Sequence, residues 1–371
     1  MFLMDEKKWL FALALFSIAL RLFFLSDLPN GIDEREVFAW IGNAERSLVE
    51  PYPPGFNFFV KTIFLATQSV FWTRFALALF SSFSILFVFL VARQLFDSKT
   101  GLWAAAFLAV SPAFVVYSTH LRAYGLLMAI FLIATFFFLN LLGQRPRKID
   151  QAGLLVFYAL GFWFHYYAFL FVLVHGLILL VQRPSRGKAV QWGIPVFLSL
   201  LLALPLVPLL LLQLGQVQGN ATGYFSSPFS PQGILSIGAT FLFLFIPLSK
   251  GFLLSSIPIA LFAAAFFALI IGVFAFSQWN VLASKDRRLF FLVFGMFFFL
   301  VLGFLAQKTH FWPRYVVPSL PFWLLALAYG VARQRFVSTR LLGCALVIGF
   351  LVVDLFLFLL FSSNRFHLVY Y

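Results

Sequence analysis

The sequence contains a single cysteine, Cys344, which lies inside a long apolar run. This excludes internal disulfides and a metal site built from cysteines. Charged residues are also scarce, at 10% of the 371 residues, whereas globular domains carry about 25%. Because 63% of the residues are hydrophobic and 55 residues are Phe, a soluble enzyme and a disordered chain are both excluded.

Three patterns of nucleotide and zinc chemistry are missing as well. The sequence has no G-x-x-x-x-G-K-[ST], no G-x-G-x-x-G and no H-E-x-x-H. The first two patterns cradle nucleotide phosphates, and the third holds a catalytic zinc ion. Their absence argues against nucleotide-driven chemistry on the cytoplasmic side.

Long apolar runs are abundant, and most approach the ~20 residues that a bilayer crossing needs. We predict an all-α polytopic membrane protein with about 11 transmembrane helices, at 9–26, 76–96, 102–118, 123–142, 152–165, 167–182, 190–213, 254–276, 289–306, 315–332 and 341–361. Two shorter or more interrupted segments, 55–72 and 233–248, are predicted to form re-entrant or interfacial helices on the outer side.

The net charge of +14 arises from 26 basic and 12 acidic residues. With the N-terminus inside, most basic residues fall in short cytoplasmic connectors, as the positive-inside rule requires. They do not form a clustered basic face with interleaved aromatic residues, which excludes nucleic acid as a partner. We therefore expect a multi-pass protein of the bacterial inner (plasma) membrane with a cytoplasmic N-terminus.

Half of the acidic residues lie in the predicted outer loop 27–54, namely Asp27, Asp33, Glu34, Glu36, Glu45 and Glu50. Asp33 and Glu34 differ from the others because they are adjacent and have apolar neighbours in GIDEREVFAWIG. Such a pair can supply a general base, hold a divalent metal ion or bind a basic partner. An acidic first turn, stabilised by the helix dipole, explains the pair equally well on this motif alone.

A second polar group, His120, Arg122 and Tyr124, lies in SPAFVVYSTHLRAYG, where one predicted span ends and the next begins. An arginine fork can bind two phosphate oxygens at once. An arginine at a span end can equally extend its charge to the membrane surface.

Two more polar groups are predicted on the same outer side. One contains His165 and Tyr166 in GFWFHYYAF, where an aromatic belt at the interface is the alternative explanation. The other, in QKTHFWPRYVVPSLP, contains Lys308, His310, Arg314 and Tyr315. Basic residues on the outer side run against the positive-inside trend, and an anionic ligand would explain them.

The chain resembles the GT-C superfamily of polytopic glycosyltransferases. It is most similar to the dolichyl-phosphate-mannose–protein mannosyltransferases and their bacterial relatives, the lipid A aminoarabinose transferases. The residues that carry the resemblance follow the family's order: Arg21, Asp33-Glu34, Pro53-Pro54, Arg74, Arg122, Tyr124, HYY at 165–167 and RYVVPSLP at 314–321.

The resemblance implies a GT-C helical bundle that forms one domain over residues 1–371, with its active site facing the periplasm. The donor would be a sugar on a polyprenyl phosphate, transferred with inversion to a lipid, glycan or protein acceptor. Asp33 would be the catalytic base, supported by Glu34, and a divalent metal at this pair stays open. Donor phosphate contacts would come from Arg122, Arg314 and Lys308, and substrate contacts from Arg74, His120, Tyr124, His165, Tyr166, His310 and Tyr315.

The sequence also departs from the family. His120 stands where family members commonly have an acidic residue, two positions before Arg122. We expect no separate soluble C-terminal domain, so the outer loops 27–54 and 214–232 would recognise the acceptor. The main alternative function is a secondary transporter or a lipid or glycolipid flippase.

Overall fold

The computed structural model describes residues 6–25, 37, 41, 53–220, 242–247, 257–284, 286–298, 313–334 and 338–362. No β-strand occurs within these ranges. The helices are α1 Glu6–Leu25, α2 Pro54–Thr67, α3 Val70–Leu95, α4 Ser98–Ala109, α5 Pro112–Thr119, α6 Tyr124–Leu142, α7 Lys148–Phe164, α8 Tyr167–Gln182, α9 Arg186–Ala203, α10 Val207–Asn220, α11 Ile257–Ala283, α12 Arg288–Phe290, α13 Leu320–Arg333 and α14 Thr339–Ser362.

Several of these helices are long and apolar enough to cross a membrane. Within the described ranges there are five such segments: α3, α6, Arg186–Gln213 (α9 and α10), α11, and Arg340–Leu360 of α14. A bent pair, α4 and α5, makes a sixth candidate span. The prediction of an all-α, multi-pass membrane protein is therefore confirmed, whereas the number of eleven spans stays a prediction.

The predicted span 102–118 falls on a bent pair of helices, because α4 and α5 meet at an angle of 58°. Pro112 is the first residue of α5. A proline disfavours helical backbone in the residue before it, and Ser111 accordingly has ψ 122°. The chain therefore changes direction at 110–111, inside the apolar run.

The boundary between α2 and α3 also differs from the prediction. The helix α2 ends at Thr67, and the next residue, Gln68, has a left-handed backbone with φ 51°. Ser69 then caps α3, with its hydroxyl accepting from the backbone N–H of Trp72 at 3.5 Å. Residues 70–72 thus belong to the long helix α3, and the short helix α2 stands apart from it.

The hydrophobic core lies where α3, α4, α6 and α13 meet. Phe107, Phe138 and Phe322 are fully buried there. Phe131 of α6 stacks on Phe171 of α8, with ring centroids 4.0 Å apart. This packing joins α8, and with it the α7–α8 turn, to the centre of the molecule.

A buried polar network joins α6 to α9. The Nδ1 atom of His175 lies 2.6 Å from the Tyr158 hydroxyl oxygen, and its Nε2 atom lies 3.3 Å from the Thr135 hydroxyl oxygen. The indole N–H of Trp192 donates to the same Tyr158 oxygen at 3.1 Å. These hydrogen bonds satisfy buried polar groups and fix the relative register of four helices.

Candidate functional site

Arg122 lies in the turn between α5 and α6. The helix α5 ends at Thr119, and His120 follows with an extended backbone. The backbone N–H of Arg122 donates to the carbonyl of His120 at 2.7 Å, which tightens this turn. Both side chains are buried, with exposed fractions of 8% for Arg122 and 4% for His120. A charged side chain at this depth is a candidate for function.

The turn opens onto a pocket between α2, α6 and the end of α7. Its empty space is ≈ 290 Å³, including space that is open to solvent. Of the described residues that line it, only one is charged; the lining consists of Phe56, Asn57, Arg122, Ala123, Tyr124, Phe164 and His165. The pocket is therefore largely apolar, with a few polar groups that converge on it, as ligand sites usually are.

His165 directly follows the last residue of α7 and lines the pocket. Its Nδ1 accepts a hydrogen bond from the backbone N–H of Tyr167 at 3.1 Å. That contact fixes the imidazole orientation and places the proton of a neutral ring on Nε2. The ring centroid lies 5.7 Å from that of Tyr124, which in turn makes an edge contact with Tyr117 at 5.9 Å.

Arg314 and Tyr315 are connected to this pocket through aromatic rings. Tyr315 makes an edge contact with Tyr167 at 6.2 Å, and Tyr167 lies 4.3 Å from His165 between ring centroids. The guanidinium of Arg314 lies 5.7 Å from the Tyr315 ring. The structure thus places the segment around 315 on the side of the molecule that carries His165.

Arg74 lies in α3 and is 2% exposed. Its guanidinium donates to the backbone carbonyl of Leu25, at the end of α1, with a distance of 3.3 Å. Arg74 therefore lies beside the point where the chain leaves α1 toward loop 27–54.

Arg21, within α1, contacts both halves of the bent helix. Its Nε donates to the Ser118 hydroxyl of α5 at 2.7 Å, and one terminal nitrogen reaches the Ala109 carbonyl of α4 at 3.5 Å. The same nitrogen donates to the backbone carbonyl of Ser17 at 2.7 Å and to its hydroxyl. Asp354 of α14 is also buried and interacts electrostatically with Arg21.

Tyr166 is oriented differently from its neighbours. Its hydroxyl donates to the Gln213 side-chain oxygen of α10 at 2.7 Å, and it is not among the residues that line the pocket. The structure therefore does not bring Tyr166 together with Arg122. Four further predicted residues, Asp33, Glu34, Lys308 and His310, lie outside the described residues.

The sequence reasoning missed the contribution of α2. Phe56 and Asn57 line the pocket from this helix, and the only available signal was one amide in the otherwise apolar stretch GFNFFV. In the described ranges, no group of three or more His, Cys, Asp or Glu side chains could hold a metal ion.

The family model described as dolichyl-phosphate-mannose-protein mannosyltransferase matches residues 51–211, which contain Arg74, the Arg122 turn and His165. No curated protein matches the chain.

Solved membrane proteins share the fold. ArnT from Cupriavidus metallidurans bound to undecaprenyl phosphate is 15% identical and covers 89% of this chain and 61% of its own, with a TM-score of 0.56. The Archaeoglobus fulgidus oligosaccharyltransferase tethered with an acceptor peptide is 14% identical. That match covers 94% of this chain and 54% of the oligosaccharyltransferase chain, with a TM-score of 0.59. At these identities the matches show that the chain shares the fold of these two proteins.

In a third match, the arabinofuranosyltransferase AftD from mycobacteria is 16% identical; the match covers 97% of this chain and 27% of that chain, with a TM-score of 0.52. The fold that this resemblance implies is thereby confirmed. This chain spans about half the length of several solved structures that it matches, such as 54% of apo ArnT and 52% of the oligosaccharyltransferase with zinc and sulfate.

Proposed function

We propose that this protein is a membrane glycosyltransferase that moves a sugar from a polyprenyl-phosphate donor to an acceptor on the outer face of the membrane. The observation that supports this most is Arg122, a buried cation at the wall of a largely apolar pocket between helices. The planar fork of an arginine matches a phosphate group, and a lipid phosphate is an anion that reaches membrane depth.

The comparisons support the same donor class. A relative by fold was solved with undecaprenyl phosphate, and another with a dolichol phosphate and an inhibitory peptide. The description of the family model that matches residues 51–211 names dolichyl-phosphate mannose. The acceptor in our proposal is a lipid, a glycan or a protein, and the sugar is a hexose or a pentose.

The proposed reaction is a single displacement. The acceptor hydroxyl or amine loses its proton to Asp33, with Glu34 supporting that base, and bonds to the anomeric carbon. The bond between that carbon and the phosphate oxygen breaks, so the configuration inverts and the polyprenyl phosphate leaves with the bonding electron pair. Arg122 and Arg314, with Lys308, would stabilise the negative charge as it develops on the leaving phosphate.

The first experiment tests the base. Purified protein in proteoliposomes is given a polyprenyl-phosphate sugar and an acceptor extract, and the covalent product is measured by mass spectrometry. Asp33→Asn should lower the turnover by about 10²–10⁴-fold, the usual contribution of a general base, while the protein remains folded. Normal turnover in that variant contradicts the assignment of Asp33.

A second measurement separates the enzyme from the transporter or flippase. An enzyme forms a covalent product in the proteoliposomes, whereas a transporter moves substrate with no new bond. The bend between α4 and α5 resembles the broken helices of transporters, but the carbonyl of Ala109 at this bend accepts from Arg21. Flux without any product in this assay would overturn the proposal.

A further inference from the structure

Asn57 brings a neutral hydrogen-bond donor to the pocket of Arg122. It lies on α2 and lines the pocket together with Arg122 and His165. Its side-chain nitrogen is buried, and it has no hydrogen-bond partner among the described residues. Buried donors are almost always paired in folded proteins, so an unpaired donor at the wall of a pocket points to a ligand atom.

The position of Asn57 is set by close packing of α2 on α7. A Cβ added to Gly55, two residues earlier, would lie 2.5 Å from the carbonyl oxygen of Trp163. Only glycine permits the two backbones to approach this closely. Because Trp163 is two residues before His165, this contact fixes the amide relative to the His165 wall of the pocket.

The chemistry of the two donors differs. Arg122 is a permanent cation with a planar fork that matches phosphate. The amide of Asn57 is neutral, and its nitrogen donates to a single oxygen. A ligand with an anionic group and neutral hydroxyl groups side by side would use both, and a sugar phosphate is such a ligand.

We propose that Asn57 donates a hydrogen bond from its amide nitrogen to a hydroxyl oxygen of the donor sugar, beside the phosphate subsite of Arg122. This inference rests on the proposed function. It makes Asn57 a residue that discriminates the sugar-bearing lipid from the bare lipid phosphate that remains after transfer.

The test compares two lipids on the same protein. Binding of polyprenyl-phosphate mannose, or of another lipid from a panel of hexosyl and pentosyl phosphates, is measured beside binding of polyprenyl phosphate without sugar. Asn57→Leu conserves the size of the side chain and removes the donor. We expect this variant to bind the sugar-bearing lipid about tenfold more weakly, which corresponds to ~1.4 kcal/mol. Its affinity for the bare lipid phosphate should be unchanged.

Three controls accompany this variant. Asn57→Ala removes the same donor without any risk of overpacking and should give the same selective loss. Thr62→Val, at an exposed position on α2, should bind both lipids as the wild type does. Arg122→Ala should weaken the binding of both lipids, because both carry the phosphate.

The outcomes separate the inference from the function on which it rests. If both Asn57 variants bind both lipids normally, or lose both lipids equally, the hydrogen bond to the sugar is contradicted and the glycosyltransferase proposal stands. If the wild-type protein binds none of the lipids, the proposed function fails and the inference fails with it.

Discussion

Arg21 shows how a charged residue is accommodated within the apolar part of this chain. It has no exposed surface, its ring neighbour Phe114 lies 4.3 Å from the guanidinium carbon, and its hydrogen bonds reach α4 and α5. Ser118, its partner on α5, is four residues before Arg122. Arg21 therefore supports the segment that leads into the pocket turn.

We expect Arg21→Met to lower the stability of the protein strongly. The substitution removes the buried hydrogen bonds of Arg21 to Ser17 and Ser118, and each buried partner left unpaired costs about 1–3 kcal/mol. The melting temperature of the purified protein in detergent should fall accordingly.

A double variant tests the coupling between the two charges. Asp354→Leu added to Arg21→Met should recover part of the lost stability, because the remaining buried charge is removed. If the stability changes of the two substitutions simply add, Arg21 acts only through its hydrogen bonds and Asp354 does not interact with it.

Arg122 gives the prediction that belongs to the proposed reaction. Arg122→Ala should lower the turnover by about 10²–10³-fold, the range seen when a donor to a developing charge is removed. Donor affinity should fall more than acceptor affinity. Arg314→Ala should act in the same direction, and unchanged donor affinity in both variants would remove the phosphate-clamp role.

At the scale of the helices, α3, α5 and α6 meet closely at Gly125. A Cβ at this position would lie 2.7 Å from the Ser81 hydroxyl and 2.7 Å from the Tyr117 carbonyl. Gly125 directly follows Tyr124, so any shift here is transmitted to the wall of the pocket.

We expect Gly125→Ala to destabilise the protein by about 1–3 kcal/mol, the usual cost of overpacking, and to lower activity as the pocket wall moves. Gly272→Ala in α11 is the matched control, because a Cβ there meets no atom within 4 Å. Thermal unfolding of the two variants, side by side, checks this. Equal melting temperatures would show that the helices can separate at Gly125 without penalty.

The sequence predicts helices better than it predicts their interruptions. The apolar runs around α3, α6 and α14 indicate membrane helices by length and composition alone. The bend after Ala109 depends on one proline, Pro112, inside an apolar run. The left-handed backbone at Gln68 has no proline or glycine beside it that would have indicated it. Asn57 was missed because a lone amide in an apolar helix looks the same whether it faces lipid or a pocket.

At the scale of the whole molecule, the positive-inside orientation can be tested through the single cysteine. Cys344 is exposed on α14, so a Cys344→Ser background allows one new cysteine at a time. Gln144→Cys follows α6 in a connector predicted to be cytoplasmic, and Gln68→Cys follows α2 on the predicted outer side. Both positions are exposed.

We expect a membrane-impermeant thiol reagent to label the cysteine at 68 in intact spheroplasts. The cysteine at 144 should be labelled only after the membrane is permeabilised. The opposite pattern would invert the proposed orientation and move the pocket to the cytoplasmic side.

The contacts of Arg21 also impose an order on biosynthesis. α1 is synthesised first, yet groups that accept from its arginine lie in α4 and α5, and the buried acid Asp354 lies in α14. At about 5–20 residues per second, translation reaches Asp354 tens of seconds after Arg21. A charged side chain in an otherwise apolar helix disfavours the insertion of that helix by itself. The hydrogen bonds from Arg21 to α4 and α5 therefore form only after those helices have been synthesised, so the packing of α1 depends on later parts of the chain.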